Sequence, residues 1–405
     1  MKRLISLLLT LCMVLCIFTG CAAKTETEPP AADAAQPADA AQPADTASDT
    51  AQASAPTGEV KTYEEGSPLK IAYIGWGFAD ETSMMYLKEF DLVSSKFPVE
   101  YTLSDAWGTS NSAEDVVEVL PSLIEAGAQA VIVHSMSAKI VELCNNAQVY
   151  FTLSGEVILD QELQAMCDAS PYYVGTVALA DYDGGYAMGS KLAELGCKNV
   201  CYTRTSTRNL EENRLKGAKA ALEENGINLV GEYCGEETSQ AIRDYVASNP
   251  DLDGVIVGNG TNGQLDTAAQ TLEALGVDQD VALVSICSPV GHEAYFDNGT
   301  VNMIMSGEGF EPFICSMLLI NAMYGHRIDE APLLDYVNYF PITESAAVSD
   351  YSVYFSSKSA DLPVTADDMV NLWYKPNNPD LNNEWISNWI ANDYNVDAMN
   401  VSHGR

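Results

Sequence analysis

From residue 69 onward the chain keeps one rhythm, and that rhythm constrains the fold more than any motif. Short apolar runs alternate with amphipathic stretches about twice as long. A short apolar run bounded by turn residues reads as a strand buried on both faces. A helix between two such runs carries the chain back to the same end of the sheet. The rhythm therefore predicts βα units and parallel sheets. Strands are expected at 69–75, 98–103, 129–134, 148–153, 171–177, 199–204, 228–234, 254–258, 281–287 and 301–305. The helices between them carry end signals. Asn111 or Ser112 precedes Glu114 or Asp115 by three residues, the spacing of a capping box. Val116, Val117, Leu120, Leu123 and Ile124 then share one face, and Gly127 stops the helix. Asn209 and Glu212 repeat the box, with Leu215, Ala218 and Leu222 inward and Gly226 at the end.

The stretch before this rhythm has a different character. Lys2 and Arg3 open the chain, residues 4–18 are almost wholly apolar, and small Thr19 and Gly20 precede Cys21. That is the layout of a secretory signal over 1–20, and its apolar run is short for a bilayer span. A cysteine just after the cut resembles the lipobox of bacterial lipoproteins, which implies acylation at Cys21, although Phe18 stands where Leu is usual. Residues 21–67 are rich in Ala, Pro, Asp, Thr and Gln, with Ala-Ala-Gln-Pro-Ala-Asp at 34–39 repeated at 40–45. Ordering such a segment would cost backbone entropy with almost no apolar burial to offset it. It reads as a disordered tether holding a folded body off a membrane.

The body is longer than one core usually serves, so two lobes are expected. The formal net charge of −37 makes nucleic acids and anionic lipid surfaces poor partners, and favours neutral or cationic ligands over anions. The body's cysteines are Cys144, Cys167, Cys197, Cys201, Cys234, Cys287 and Cys315, an odd number with no Cys-x-x-Cys pair. His134, His292, His326 and His403 are isolated from them in sequence, so no metal site is expected, and most of the thiols read as small buried residues.

In open α/β sheets, ligands sit beyond the carboxyl ends of the strands. The residues just past each expected strand are thus the candidates, and Gly75-Trp-Gly-Phe stands out first. Trp76 and Phe78 form an aromatic pair on a glycine-rich loop, suited to stacking on the flat face of a sugar or base, with Asp80 close behind. Trp107, past the second strand, is a candidate second platform.

Three longer stretches carry a family likeness. They are Tyr173-Val-Gly-Thr with Gly184-Gly-Tyr-Ala-Met-Gly and Leu192-Ala-Glu-Leu-Gly-Cys-Lys-Asn-Val, then Asn213-Arg-Leu-Lys-Gly-Ala-Lys-Ala-Ala-Leu-Glu-Glu-Asn-Gly, then Leu252-Asp-Gly-Val-Ile-Val-Gly-Asn. In order and spacing they resemble the type I periplasmic binding proteins, the ribose- and galactose-type solute-binding proteins of ABC transporters. The resemblance runs from about residue 69 to 342. It implies two doubly wound lobes joined by three crossovers, closing on a small solute and handing it to a membrane permease. The implied division is an N-terminal lobe of 68–177 with 306–332, a C-terminal lobe of 178–305, and a third crossover with a C-terminal extension over 333–405. In that extension Trp385 and Trp389 share a helical face, expected to pack on the body.

The resemblance also implies site residues. Asn259 matches a position where sugar-binding relatives bond a hydroxyl, and an amide offers donor and acceptor together. Arg204 and Arg208 lie past a second-lobe strand, where relatives carry a ligand arginine; counting back from Gly217 places that arginine's own position at Glu212, which also fits a helix cap. Cys287 stands where relatives have an aspartate. Ser154-Gly155 replaces an Asp-Arg pair, with Glu156 adjacent, and the polar residue of the second crossover falls on Met305. These departures suggest a charged clamp thinned toward small and apolar groups, and a ligand such as a nucleoside or a modified sugar rather than an ordinary pentose or hexose.

Enzyme motifs fail one by one. Gly258-Asn-Gly-Thr-Asn-Gly fits G-x-G-x-x-G, but no acid ends the following strand, where Ser285 and Ser288 lie. Ser67-Pro-Leu-Lys fits S-x-x-K without its partner motifs, and no Gly-x-Ser-x-Gly elbow occurs. The expectation is a monomeric, cofactor-free, lipid-anchored extracytoplasmic binding protein, not an enzyme, that feeds an ABC permease with a small neutral polar solute. The alternatives are a ligand-presenting receptor for a kinase or chemoreceptor, and an exported enzyme.

Overall fold

In the computed structural model, the described residues are 60–109 and 112–405. The signal at 1–20, the lipidation position Cys21, most of the tether and Asn111 lie outside them. Residues 60–67, expected as the end of the tether, belong to the body instead. The Tyr63 amide donates to the Met323 carbonyl at 2.8 Å, and Tyr150 and Tyr374 donate to the Lys61 carbonyl and the Glu65 carboxylate. Partners from the folded body hold what composition alone leaves free.

The first lobe runs β1 (Leu69–Ile74), α1 (Glu81–Lys96), β2 (Val99–Ser104), α2 (Ala113–Glu125), β3 (Ala130–Val133), α3 (Ala138–Ala147), β4 (Tyr150–Gly155), α4 (Gln161–Asp168) and β5 (Tyr173–Leu179). The second runs α5 (Asp181–Glu194), β6 (Asn199–Arg204), α6 (Asn209–Glu224), β7 (Asn228–Cys234), α7 (Thr238–Ser248), β8 (Gly254–Val257), α8 (Gln264–Leu275), β9 (Ala282–Ile286), α9 (Glu293–Asp297) and β10 (Met303–Ser306). The chain then returns through α10 (Glu311–Met323), β11 (Leu333–Val337), β12 (Phe340–Ile342), α11 (Ser345–Phe355), α12 (Ala366–Leu372), α13 (Asn383–Asn392) and α14 (Val396–Ser402).

All ten expected strands are present; β1, β3, β4, β5, β8, β9 and β10 are buried along almost their whole length and so read as apolar runs, while the edge strands β2 and β7 are mostly exposed or half-buried. The two lobes repeat one topology. The sheets are ordered β11-β5-β4-β3-β1-β2 and β12-β10-β9-β8-β6-β7, so each reverses direction beside its first strand. The switch points fall between β1 and β3 and between β6 and β8, and the carboxyl ends there frame the cleft.

Two strands were not legible. β11 adds to the first sheet in parallel, and β12 pairs antiparallel with β10. Leaving β11 at its carboxyl end, the chain crosses within residues 337–340 and meets the second sheet at the carboxyl end of β10, so it must run the other way. The stretch 333–405 thus contributes an edge strand to each lobe as well as an extension. In that extension Trp373 is fully buried and Trp389 nearly so, and Trp389 and Tyr394 stack on Phe310. The tail braces the second crossover.

Close helix packing fixes the second lobe. A Cβ on Gly217 of α6 would lie 1.9 Å from the Tyr182 carbonyl, and one on Gly185 of α5 would lie 1.9 Å from the Arg214 carbonyl. Only hydrogen at both positions lets these helices approach so closely. The expected Asn209–Glu212 box does not form at the start of α6. Arg208 is the N-cap, and Glu211 instead turns back to the amides of Thr205 and Ser206, at 2.9 and 3.1 Å. Six body cysteines are buried, Cys234 is exposed, and all seven are unpaired. Gly217→Ala is expected to cost about 1–3 kcal/mol by overpacking a tight contact, read as a lowered denaturation midpoint; an unchanged midpoint would mean that α5 and α6 separate freely.

Candidate functional site

A cavity of about 590 Å³ lies where the two switch points face each other. The first lobe supplies its aromatic wall. Trp76 follows β1 and donates its indole N–H to Asp80 Oδ2 at 2.9 Å, while Asp80 Oδ1 caps α1 through the Ser83 amide. Trp107 sits past β2, buried, and donates to Ser135 Oγ at 2.9 Å. The Trp76 and Trp107 ring centres are 5.6 Å apart, and His134, one residue past β3, lies 4.8 and 5.2 Å from them. Burial, with Arg208 adding to it, pushes His134 down to about 3, so it is a neutral imidazole, in contact with the Tyr73 hydroxyl at 2.7 Å. Tyr86 completes the wall and donates to Glu311.

The second lobe supplies the polar wall. Asn259 follows β8, and its amide N–H₂ donates to Thr205 and Glu211 while its oxygen accepts from Thr261. Its amide therefore organises the loops that line the cavity as well as lining it. Burial alone would raise Glu211, but hydrogen bonds from Ser206 and the nearby Arg214 and Arg208 more than offset this and hold it low. Arg208 lies 5.1 Å from the centre of the Trp107 ring, a cation–π contact from one lobe to the other.

Beneath the cavity one guanidinium ties the crossovers together. Arg214 is almost fully buried; its Nε donates to Asp181 at 2.7 Å, and Nη2 donates to Glu308 at 2.6 Å and to the Tyr339 hydroxyl at 2.7 Å. Asp181 opens the second lobe after the first crossover, Glu308 lies in the second crossover and Tyr339 in the third. Nη1 reaches the Gly258 carbonyl at 3.2 Å, at the end of β8. Burial opposes the Arg214 charge, but Tyr339, Asp181 and Glu308 together outweigh it.

Of the residues expected at the site, Trp76, Asp80, Trp107, Glu156, Arg208 and Asn259 line the cavity, whereas Phe78, Ser154, Arg204 and Cys287 do not. Phe78 packs on Tyr73, Ser154 and Cys287 are buried, and Arg204 pairs with Glu212 at 2.6 Å. Arg214 was missed in favour of Glu212, although it stands three residues before Gly217 on the helix face turned to α5. Met305 is a buried strand residue, and the polar residues of the second crossover are Glu308 and Glu311. His134 and Glu236 were missed too, and both lie at strand ends, where the topological rule points. The expected thinning of charge is overturned, since Asp80, Glu156, Glu211, Glu236, Glu308 and Glu311 line the cavity with two arginines. Among the described residues no group of side chains could hold a metal ion, and no helix is long and apolar enough to cross a membrane.

Residues 84–311, more than half of the chain, match the family model of the periplasmic binding protein domain. The chain belongs to this family. No curated protein matches it. Among solved structures, a solute-binding protein of an ABC transporter from Bacillus halodurans C-125, with bound myo-inositol, is 16% identical with a TM-score of 0.59, over 71% of this chain and 99% of that one. A periplasmic solute-binding protein of an ABC transporter from Actinobacillus succinogenes 130z, with bound D-allose, is 19% identical with a TM-score of 0.59, over 70% and 100%. The substrate-binding protein of a sugar ABC transport system from Bordetella parapertussis 12822 is 15% identical with a TM-score of 0.60, over 73% and 95%. At such identities the likeness is one of fold: two doubly wound lobes around a cleft, in a periplasmic binding protein.

Two outcomes follow from the buried charges. Arg214→Met leaves Asp181 and Glu308 without their cation, and is expected to cost about 3–5 kcal/mol in a urea melt; a loss below 1 kcal/mol would mean that the cluster is solvated. Burial raises Glu156 from 4.5 to about 7, with Arg208 opposing it. The unfolded chain then ionises first, so this residue's contribution is full below pH 4.5 and is lost as pH rises to about 7. Glu156→Gln should therefore gain on the ligand-free wild type across that window, by on the order of 3 kcal/mol at most. Melts at pH 5 and pH 8 check this, and an equal difference at both would mean that Glu156 titrates freely.

Proposed function

We propose that this protein is the lipid-anchored, extracytoplasmic solute-binding component of an ABC importer. It captures a small polyhydroxylated solute between its lobes and presents the closed form to a permease. The carrying observation is the division of the cavity: an aromatic wall of Trp76, Trp107 and Tyr86 faces a hydrogen-bonding wall of Thr205, Ser206, Arg208 and Asn259. Ring faces stack on the C–H face of a sugar or on a base, and amides and hydroxyls bond its polar rim. The cavity has the size of a small-molecule site. The bound myo-inositol and D-allose of two proteins with this fold support the same class of solute. Acylation at Cys21 would supply the anchor, and residues following it the tether. The absence of a nucleophile–base pair among the motifs favours binding over turnover.

A thermal-shift panel of sugars, cyclitols, amino sugars and nucleosides tests this, since a solute that binds the folded state raises its melting temperature. At least one member should shift it, and Trp76→Ala should weaken that member about tenfold or more. A panel without a shift, or unchanged affinity in Trp76→Ala, would sink the reading.

A further inference from the structure

Six carboxylates line the cleft against two arginines, and one of the six stands apart by its missing hydrogen-bond partner. Of the six lining carboxylates, five are committed to partners within the chain. Asp80 accepts from Trp76 and Ser83, Glu236 from Gln264, and Glu311 from Tyr86 and two backbone amides. Glu308 pairs with Arg214, and Glu211 is held by Thr205, Ser206 and Asn259. Glu156 differs. It lines the cavity, is only 8% exposed, and its Oε1 has no hydrogen-bond partner. The two lining arginines act on Glu156 only through space and form no ion pair with it: Arg214 is bonded to Asp181, Glu308 and Tyr339, and Arg208 lies against the Trp107 ring and the Glu211 carboxylate at 3.9 Å. A buried carboxyl group without a donor is costly unless something brings one.

We propose that the solute captured in this cleft carries a protonated amine beside its hydroxyl groups, as an amino sugar or aminocyclitol does, and that Glu156 is the counter-ion for that amine. This rests on the cleft being a polyol site, as argued above. An ammonium group supplies hydrogen-bond donors and a positive charge at once, whereas a hydroxyl supplies one donor and no charge. The position of Glu156 near neutrality fits a group that awaits such a partner, since a cation beside it favours its ionised form.

The test compares pairs that differ in one group, by titration calorimetry at pH 7 on the purified wild-type protein. The pairs are D-glucosamine and D-glucose, D-galactosamine and D-galactose, D-mannosamine and D-mannose, and scyllo-inosamine and scyllo-inositol, with the N-acetyl sugars as uncharged controls. At least one amine should bind about tenfold or more tighter than its hydroxyl parent and its N-acetyl form. Glu156→Gln should bring that ratio to near parity. If a neutral parent binds as tightly as its amine, the inference fails while the polyol reading stands. If no member of any pair binds, the polyol reading fails and the inference with it. An amine preference that survives Glu156→Gln would remove Glu156 as the counter-ion.

Discussion

The structure turns on one buried guanidinium. A two-lobed protein with three crossovers has to keep three separate chain segments in register at its hinge, and Arg214 touches a residue of each. Taking an arginine and two carboxylates out of water costs several kcal/mol per ion, and that cost is offset only where geometry is good and every remaining donor finds an acceptor. Nε and both Nη nitrogens do so here, two on carboxylates and a hydroxyl and one on the Gly258 carbonyl. Such a network stabilises modestly but specifies strongly. Displacing any crossover would leave a buried charge unpaired.

The position of Arg214 depends in turn on the glycines of α5 and α6. With Cβ atoms excluded at Gly185 and Gly217, the helices pack closely enough to bring Arg214 against Asp181 at the first crossover. At the second crossover the C-terminal extension does comparable work. Tyr394 donates to the Gly307 carbonyl, and Phe310 stacks against Trp389 and Tyr394. A crossover braced on one side by aromatic rings and held on the other through Glu308 has little freedom to bend.

The alternation of apolar and amphipathic segments was enough to read ten strands and parallel sheets, while the doubly wound order came from the family resemblance; a strand buried on both faces has no choice but to be apolar. β11 and β12 escaped that reading. They follow one another with only residues 338 and 339 between them and no helix, so they fall outside the strand–helix rhythm that marked the others, the edge strands β2 and β7 included. The site was legible where strand ends were inspected directly, as at Trp76, Trp107, Glu156 and Asn259. It was misread where a position was counted from a motif: a two-residue slip exchanged Arg214 for Glu212, and a three-residue slip exchanged Glu308 for Met305. Helical periodicity separates those choices physically. Arg214 shares a face with Gly217 and Leu210, toward α5 and the cavity, while Glu212 faces Arg204 at the surface. The expectation of a charge-poor pocket rested on Cys287, Ser154-Gly155 and Met305, whereas the charge comes from Asp80, Glu156, Glu211, Glu236, Glu308 and Glu311.

On the proposed function, the two walls of the cavity would make capture depend on both lobes. Aromatic rings gain from covering an apolar face, a contribution that is broad in direction and tolerant of small shifts. Hydrogen bonds to a polar rim are narrow in direction and gain little while water can compete. A solute resting on the first lobe alone would therefore be held but not discriminated, and discrimination would begin when the second lobe expels water from its polar rim. Arg208 and Trp107 mark the seam at which this happens, since their contact joins the lobes directly and borders the cavity. A solute that fits beneath that contact adds its own bonds to the closed arrangement; one that props the arginine off the ring must replace a cation–π interaction before it gains anything. On the proposed function, selectivity in this cleft would thus be set as much by what lets the lobes meet as by the groups that touch the solute.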